Sequence, residues 1–387
     1  MDSTPHTPLG NLSPANFLQQ YWQKKPLVIR QGFPNFTSPI SPDELAGLSC
    51  EDDVNARLVV EHSNPPWHVH YGPIEESLFP TLPETHWTLL INDVEKWLPE
   101  LSWIVDQFRF IPEWLIDDLM ISYAPEGGSV GPHLDRYDVF ILQAQGHRRW
   151  QINTQPVSPE NHIDNIDLCI QKSFTAEQEW VLAPGDIIYI PPGTSHHGVA
   201  LDDCMSFSIG FRAPAHSALL HDFLNHFSRQ LNPEDVFRLP NLTSQPHPCE
   251  LPVEAFEQAQ DLINTFCATD NPEFKQWFTQ FMSENNSHIP CDDEHNTIMQ
   301  LPDITTDTLH RNPASRFVFS RDDKTTWLAV DGTCYPLETH LTEQLCFARD
   351  INLSKLTSQI SEEDAAILIL LLNAQHLLLG NCPVAVE

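Results

Sequence analysis

From residue 119 to residue 212 the chain is cut into short apolar runs, and this limits the fold more than any other feature. The runs occupy 119–123, 137–143, 149–152, 180–182, 187–190 and 205–211, with Gly, Pro and Asp between them. Such runs are too short to bury one face of a helix, and with this punctuation they read as strands. Several short strands with turn signals predict a sandwich or barrel, and a double-stranded β-helix, the jelly roll of cupins, fits the count.

The flanks read differently. Phe17, Leu18, Tyr21 and Trp22 predict a short helix, followed by a strand at 26–30. Ser41 can cap the next helix, with Pro42 at its first position and Glu44 completing a capping box. Residues 86–117 are rich in Trp and are expected to be mostly helical. After Pro214 come amphipathic stretches at 217–231 and 253–266 and a helix at 272–283, which Asp270 or Asn271 can cap. Residues 284–300 are polar and read as a linker. Asp331-Gly332, between 327–330 and 333–335, suits a type I′ hairpin turn, and a helix at 362–377 follows a Ser361 cap. A β-hairpin beside small helices resembles a winged helix. The expected division is therefore a β-domain with N-terminal helices at 1–214, a helical region with linker at 215–300 and a winged-helix-like domain at 301–387, an α+β chain overall.

His133, Asp135 and His196 can supply two imidazoles and one carboxylate to a single metal. Two His and one carboxylate on one face of an octahedron leave three positions open, the facial triad of non-haem Fe(II) oxygenases. A lone His-x-Asp is weak evidence, because His162-Ile-Asp164 is a second one, in a polar stretch that reads as loop. His133 and Asp135 instead sit where a Gly/Pro-rich turn enters a hydrophobic run. Side chains alternate along a strand, so 133, 135, 137, 139 and 141 are expected to share a face. His196 and His197 follow the bend Pro191-Pro-Gly193 and should point opposite ways, and spacing does not choose between them.

An Fe(II) centre that cleaves O₂ needs electrons, and a 2-oxo acid supplies two by oxidative decarboxylation. The far carboxylate of that acid needs a buried cation, for which Arg is suited because it stays charged and binds bidentately. Arg148 and Arg149 open the strand at 149–152, and one should face inward. Ser206 and Ser208 share a face of the last strand, where a buried hydroxyl can bond the oxo acid or the substrate. Asp118, Met120 and Ser122 share a face of the first, and a carboxylate beside a thioether suits a guanidinium on an aliphatic stem.

Taken together, 116–122, 130–150, 184–193 and 208–214 resemble the JmjC-type ribosomal oxygenases, the 2-oxoglutarate-dependent hydroxylases of ribosomal proteins. Within that family the chain is most similar to the bacterial arginine hydroxylases of large-subunit ribosomal protein L-sixteen. The likeness also touches 17–26 and 41–47, and it is weakest past 285. It implies iron ligands at His133, Asp135 and His196, with Arg148 anchoring 2-oxoglutarate and Ser122 and Ser206 near it. It further implies that Asp118, Met120, Tyr137 and Ser208 line the pocket for a substrate arginine. A helical dimerisation region, making a homodimer, and a C-terminal winged helix complete the family pattern. His197 departs from that pattern, since relatives often carry an acidic residue there.

Charge and cysteines bound the partners. With 20 Lys and Arg against 53 Asp and Glu, the formal net charge is −33. Such a surface repels nucleic-acid phosphates and attracts a basic partner such as a ribosomal protein. Nine Cys without a CxxC pair predict reduced thiols and a cytoplasmic setting. The N-terminus lacks a secretory pattern, and the apolar run 365–372 is too short to span a bilayer. The expected activity is Fe(II)-, O₂- and 2-oxoglutarate-dependent hydroxylation of an arginine in a large-subunit ribosomal protein. Its rivals are the same chemistry on a histidine or methyl-lysine, and a non-enzymatic winged-helix binding protein with a vestigial cupin. Against the last, residues 301–387 hold six basic and twelve acidic residues, where DNA binding normally shows a basic footprint.

Overall fold

Two compact units make up the chain, one reaching to Ala213 and the other starting at Pro214. A computed structural model describes residues 8–64, 66–240, 243–244, 247, 249–267, 273–285, 298, 308–322, 325–352 and 360–380.

In the first unit, α1 (Pro14–Gln20) and β1 (Leu27–Ile29) lead to α2 (Pro42–Leu48), which starts at the expected capping box of Ser41 and Glu44. Strands β2 (Ala56–Val60), β3 (His68–Tyr71) and β4 (Trp87–Ile91) follow, then two short helices, α3 (Val94–Trp97) and α4 (Ser102–Asp106). The remaining strands are β5 (Ile116–Ala124), β6 (His133–Leu134), β7 (Asp138–Gln145), β8 (Arg148–Asn153), β9 (Gln178–Leu182), β10 (Ile187–Ile190), β11 (Ser195–Ala200) and β12 (Cys204–Phe211). They build an eight-stranded sheet in the order β1-β10-β7-β12-β5-β4-β2-β3 and a four-stranded sheet, β6-β11-β8-β9. Every pair is antiparallel.

Strand β7 shows how the layers form. Phe140, Leu142 and Ala144 face a large core shared with Phe17, Phe108, Tyr189, Phe207 and Phe211. Val139 and Ile141 face the other way, into a second core with Trp150, Ile152, Leu182, Ile188 and Ile190. Both faces are covered, so the strand reads as a continuous apolar run with no alternation. The site lies on the second of these faces.

Three expectations need correction. Residues 86–117 are not mostly helical: 87–91 form the internal strand β4, and the helices after it are short. Trp87-Thr-Leu-Leu-Ile91 is buried on both sides, so it lacks the alternation that marks a strand and is confused with a helix. The stretch from 133 to 143 is not one strand, because the chain leaves the small sheet after Leu134 and joins the large one at Asp138. The last long helix ends at Asn373, and Leu377 belongs to a strand.

In the second unit, α5 (His216–Ser228), α6 (Val253–Phe266) and α7 (Phe274–Ser283) are amphipathic helices. Asp270 and Asn271, the expected caps of α7, lie outside the described residues. Trp277 packs among Phe223, Phe227 and Phe274, and its indole donates to Asp222 at 2.7 Å. Next come β13 (Thr308–Arg311), β14 (Phe317–Arg321), β15 (Thr326–Val330), β16 (Thr333–Pro336), α8 (Thr339–Phe347), β17 (Asp350–Asn352), α9 (Glu362–Asn373) and β18 (Leu377–Leu379). Asp331 and Gly332 join β15 to β16 with φ of 42° and 81°, the left-handed pair of a type I′ turn. Ser361 caps α9 by accepting from the Asp364 amide at 3.0 Å.

Candidate metal centre and its cavity

A cavity of about 330 Å³ opens between the two sheets of the first unit. Pairing of β6 with β11 sets His133 opposite His196, with ring centroids 4.3 Å apart. Asp135, just past β6, brings Oδ2 to 3.8 Å from His133 Nε2 and 3.6 Å from His196 Nε2. The other ring nitrogen of each histidine faces a main-chain carbonyl. His133 Nδ1 lies 2.9 Å from the Gly131 oxygen, and His196 Nδ1 lies 3.0 Å from that of Thr194. A carbonyl only accepts, so Nδ1 carries the proton and Nε2 keeps its lone pair. Burial and then the neighbouring His133 draw the His196 imidazole down to about 4, which keeps it neutral, the form that binds metals. These donors fit a divalent transition metal and leave one side of it open to the cavity.

Arg148 faces the same space. Strand β8 alternates buried and half-buried positions, with Arg148, Trp150 and Ile152 inside. Arg148 is only 6% exposed, and its Nε and Nη2 find no acceptor among the described residues. A buried guanidinium with unmet donors is costly, and an anion in the cavity would relieve that cost. Its Cζ lies 5.9 Å from the Trp150 ring centroid. Gly198 makes room for that ring, since a Cβ there would stand 2.8 Å from it. Arg149 points to the other face, and so does His197, whose half-buried ring packs on Phe174. Burial lowers the His197 imidazole to about 4.

Strands β5 and β12 form the opposite wall. Ser206 pairs with Ser122 and Ser208 with Met120, so all four side chains share the inner face. Ser206 Oγ donates to Gln143 Oε1 at 3.1 Å. Asp118 lines the cavity two residues before Met120, and its Oδ2 accepts from Asn92 Nδ2 at 2.7 Å. Burial pushes the Asp118 carboxyl up to about 6. Burial also raises the Tyr137 hydroxyl, and Arg212 Cζ stands 5.5 Å from the Tyr137 ring centroid.

The ten side chains singled out in the sequence thus line one cavity. Others there carry no signal in the sequence. Arg57 and Asn92 come from strands or turns not anticipated, and Arg57 Nη2 donates to Asn92 Oδ1 at 3.2 Å. Residues 167–170 reach the cavity from the connection between β8 and β9, which looks like ordinary polar loop. Gln143, which is fully buried mid-strand in an apolar run and does not itself line the cavity, is equally unannounced and accepts from Ser206.

A jelly roll with two imidazoles and a carboxylate in its mouth fits the class of non-haem Fe(II) oxygenases, and the JmjC domain family matches residues 103–219. A ROXA-like winged helix matches 262–378, and an AraC-like ligand binding domain matches 171–284. The chain belongs to the JmjC ribosomal oxygenases. It is 40% identical over 275 residues to the ribosomal protein uL16 3-hydroxylase of Escherichia coli, covering 71% of this chain and 72% of that protein. A probable ribosomal oxygenase of Haemophilus influenzae is 43% identical over 229 residues, 57% of this chain and 54% of that protein. The solved structure of E. coli YcfD superposes with a TM-score of 0.82 at 31% identity, covering 96% of this chain and 99% of that one. A second structure, of that ribosomal oxygenase with cobalt and 2-oxoglutarate, gives a TM-score of 0.81 at 31% identity and the same coverage.

Proposed function

We propose that this protein is a cytoplasmic 2-oxoglutarate- and Fe(II)-dependent oxygenase that hydroxylates an arginine side chain in a large-subunit ribosomal protein. The observation that carries this is the Arg148 guanidinium, whose Nε and Nη2 have no acceptor among the described residues, in the same cavity as His133, Asp135 and His196. A metal triad alone serves many reactions, and a buried cation beside it suits a dicarboxylate co-substrate. Bound iron supplies the activation of O₂, coupled to oxidative decarboxylation of 2-oxoglutarate.

The protein's own part is binding, orientation and exclusion of water. His133, Asp135 and His196 hold the metal from one side. Arg148 takes the distal carboxylate of the co-substrate, and Ser122 and Ser206 offer it hydroxyls from β5 and β12. Val139, Ile141 and Trp150 keep the space between these groups apolar. Asp118, with Asn92 holding one of its oxygens, presents negative charge to an incoming guanidinium. Met120, Tyr137 and Ser208 flank the aliphatic stem. A carboxylate at this point favours arginine over a neutral histidine, and the net charge of −33 favours a basic protein as its bearer.

We also propose that two copies pair through the helical region. Leu220, Leu224, Phe256 and Ile263 on α5 and α6 are each 47–61% exposed, which suits a covered apolar face. Light scattering should give the mass of two chains, and Leu220→Glu with Ile263→Glu should give that of one.

For the reaction, the test is intact mass of ribosomal peptides treated with enzyme, Fe(II) and 2-oxoglutarate. Gain of about 16 Da, the mass of one oxygen, on an arginine is the expected result, coupled to oxoglutarate consumption. Oxygen found on histidine, or loss of a lysine methyl, would replace arginine as the target. Absence of any oxoglutarate turnover would overturn the oxygenase assignment.

A further inference from the structure

A second group of two imidazoles and one carboxylate stands apart from the triad, at the end of β2. Glu61 and His62 follow the last residue of β2, and His86 precedes β4. One donor atom from each lies within 4.8 Å of the others. Main-chain hydrogen bonds tie the two segments together: the Glu61 amide donates to the His86 carbonyl at 3.1 Å, and the His86 amide donates to that of Glu126 at 3.1 Å.

The rings are set for ligation. Thr85 Oγ1 lies 2.8 Å from His86 Nδ1, so a hydroxyl partner fixes that nitrogen and Nε2 is left to bind. A Cβ on Gly127 would lie 2.6 Å from Nε2, 2.7 Å from Cε1 and 2.9 Å from Cδ2. Distances this similar place Gly127 over the face of the ring, not on the in-plane lone pair of Nε2. The His62 ring approaches to 4.5 Å between centroids, tilted by 40°. Nothing among the described residues donates a hydrogen bond to the Glu61 carboxylate, and burial raises its pKa. A half-buried carboxylate beside two imidazoles, with no donor of its own, lacks a cation.

We propose that Glu61, His62 and His86 form a second metal site, which takes a divalent transition ion. Two nitrogens and one carboxylate oxygen suit Zn²⁺, Co²⁺, Ni²⁺ or Cu²⁺ over Ca²⁺ or Mg²⁺, which prefer all-oxygen shells. His62 is exposed, so the ion enters from solvent. The site also has a structural reach. His86 is bonded to Glu126, and 127–132 is the turn that delivers His133 to the cavity. An ion here clamps the base of that turn to the end of β2.

The test is Co²⁺ binding to the full chain in which His133→Ala and Asp135→Ala have removed two of the three catalytic ligands. One Co²⁺ per chain is expected, with visible d–d absorption. Glu61→Gln, His62→Ala and His86→Asn, the last chosen because asparagine tolerates the φ of 65° at this position, should each weaken it by at least about tenfold. Retained stoichiometry in all three variants would overturn the assignment, as would no bound Co²⁺ in the parent. His68 and His70, whose rings touch on β3, are the competing ligands. Loss of the ion in His68→Ala, with retention in Glu61→Gln, would place it there instead and equally defeat the proposal.

Discussion

Two His-x-Asp tripeptides occur in the first unit, and they lie in opposite surroundings. His133-Leu-Asp135 ends a turn, pairs with β11 opposite a third donor and faces the cavity between the sheets. His162-Ile-Asp164 lies in the connection between β8 and β9, where Asp164 is exposed and paired with Lys172 at 2.9 Å. The tripeptide is the same chemistry in both places. What separates them is the partner strand, which in one case sets His196 against Asp135 at 3.6 Å and in the other is missing among the described residues. Ligand spacing along a chain is therefore a weak guide, and ligand spacing across a sheet is a strong one.

Mutation can break this contrast from its strong end to its weak end. His133→Ala removes a ligand, and because a bound metal lowers the barrier by several kcal/mol, hydroxylation should fall by about 10³-fold or more. Intact-mass kinetics would show it, and activity within tenfold of the parent would mean that His133 does not hold the metal. Arg148→Gln loses the charge-assisted bonds, each about 1.5–3 kcal/mol, so half-saturation should need roughly 10–100-fold more 2-oxoglutarate. Arg148→Lys should recover only part of this, since one ammonium cannot match a planar fork.

Asp118→Asn should weaken binding of the arginine peptide by about tenfold, the low end for a hydrogen bond to a charged group. It should also flatten a pH profile. The Asp118 carboxyl is pushed up to about 6, so peptide binding should be strong above that pH and fade as the carboxyl protonates below it. An unchanged profile in the variant would exclude Asp118 as the titrating group.

Glu95 is buried behind this wall and accepts from the Leu119 amide at 2.9 Å. Burial raises its carboxyl from 4.5 to about 8. The stability it contributes is full below 4.5 and is lost as pH rises through about 8. Thermal melts at pH 6 and pH 9 should therefore show a fall in the parent that is smaller in Glu95→Gln. At the weak end, His162→Ala should leave turnover within about twofold, the scale of a surface substitution. A large loss there would show that the exposed tripeptide takes part after all.

The legible parts of the molecule are those where local chemistry is self-contained. The Ser41 capping box, the Asp331-Gly332 turn and the Ser361 cap each need only neighbouring residues, and each forms as expected. His133 and Asp135 stand out because a Gly/Pro turn meets an apolar run there. The choice of His196 over His197 is different: spacing leaves it open, and only the register with β6 settles which ring faces inward. Arg148 is likewise fixed by which face of β8 is covered. Asn92 and Arg57 are invisible beforehand because Asn92 reaches Asp118 from 26 residues earlier in the chain and Arg57 reaches Asn92 from 35 residues earlier still. Strand β4 misleads because burial on both sides erases the alternation that would announce it.

The acceptors behind the two metal-facing imidazoles are the main-chain oxygens of Gly131 and Thr194. No side-chain replacement can delete a peptide carbonyl. The aim of both rings is thus inherited through the path of the backbone and is indifferent to most point changes around it. Its weak spot is length: one residue inserted between Gly131 and His133, or between Gly193 and His196, would swing a ring away while leaving every ligand in the sequence.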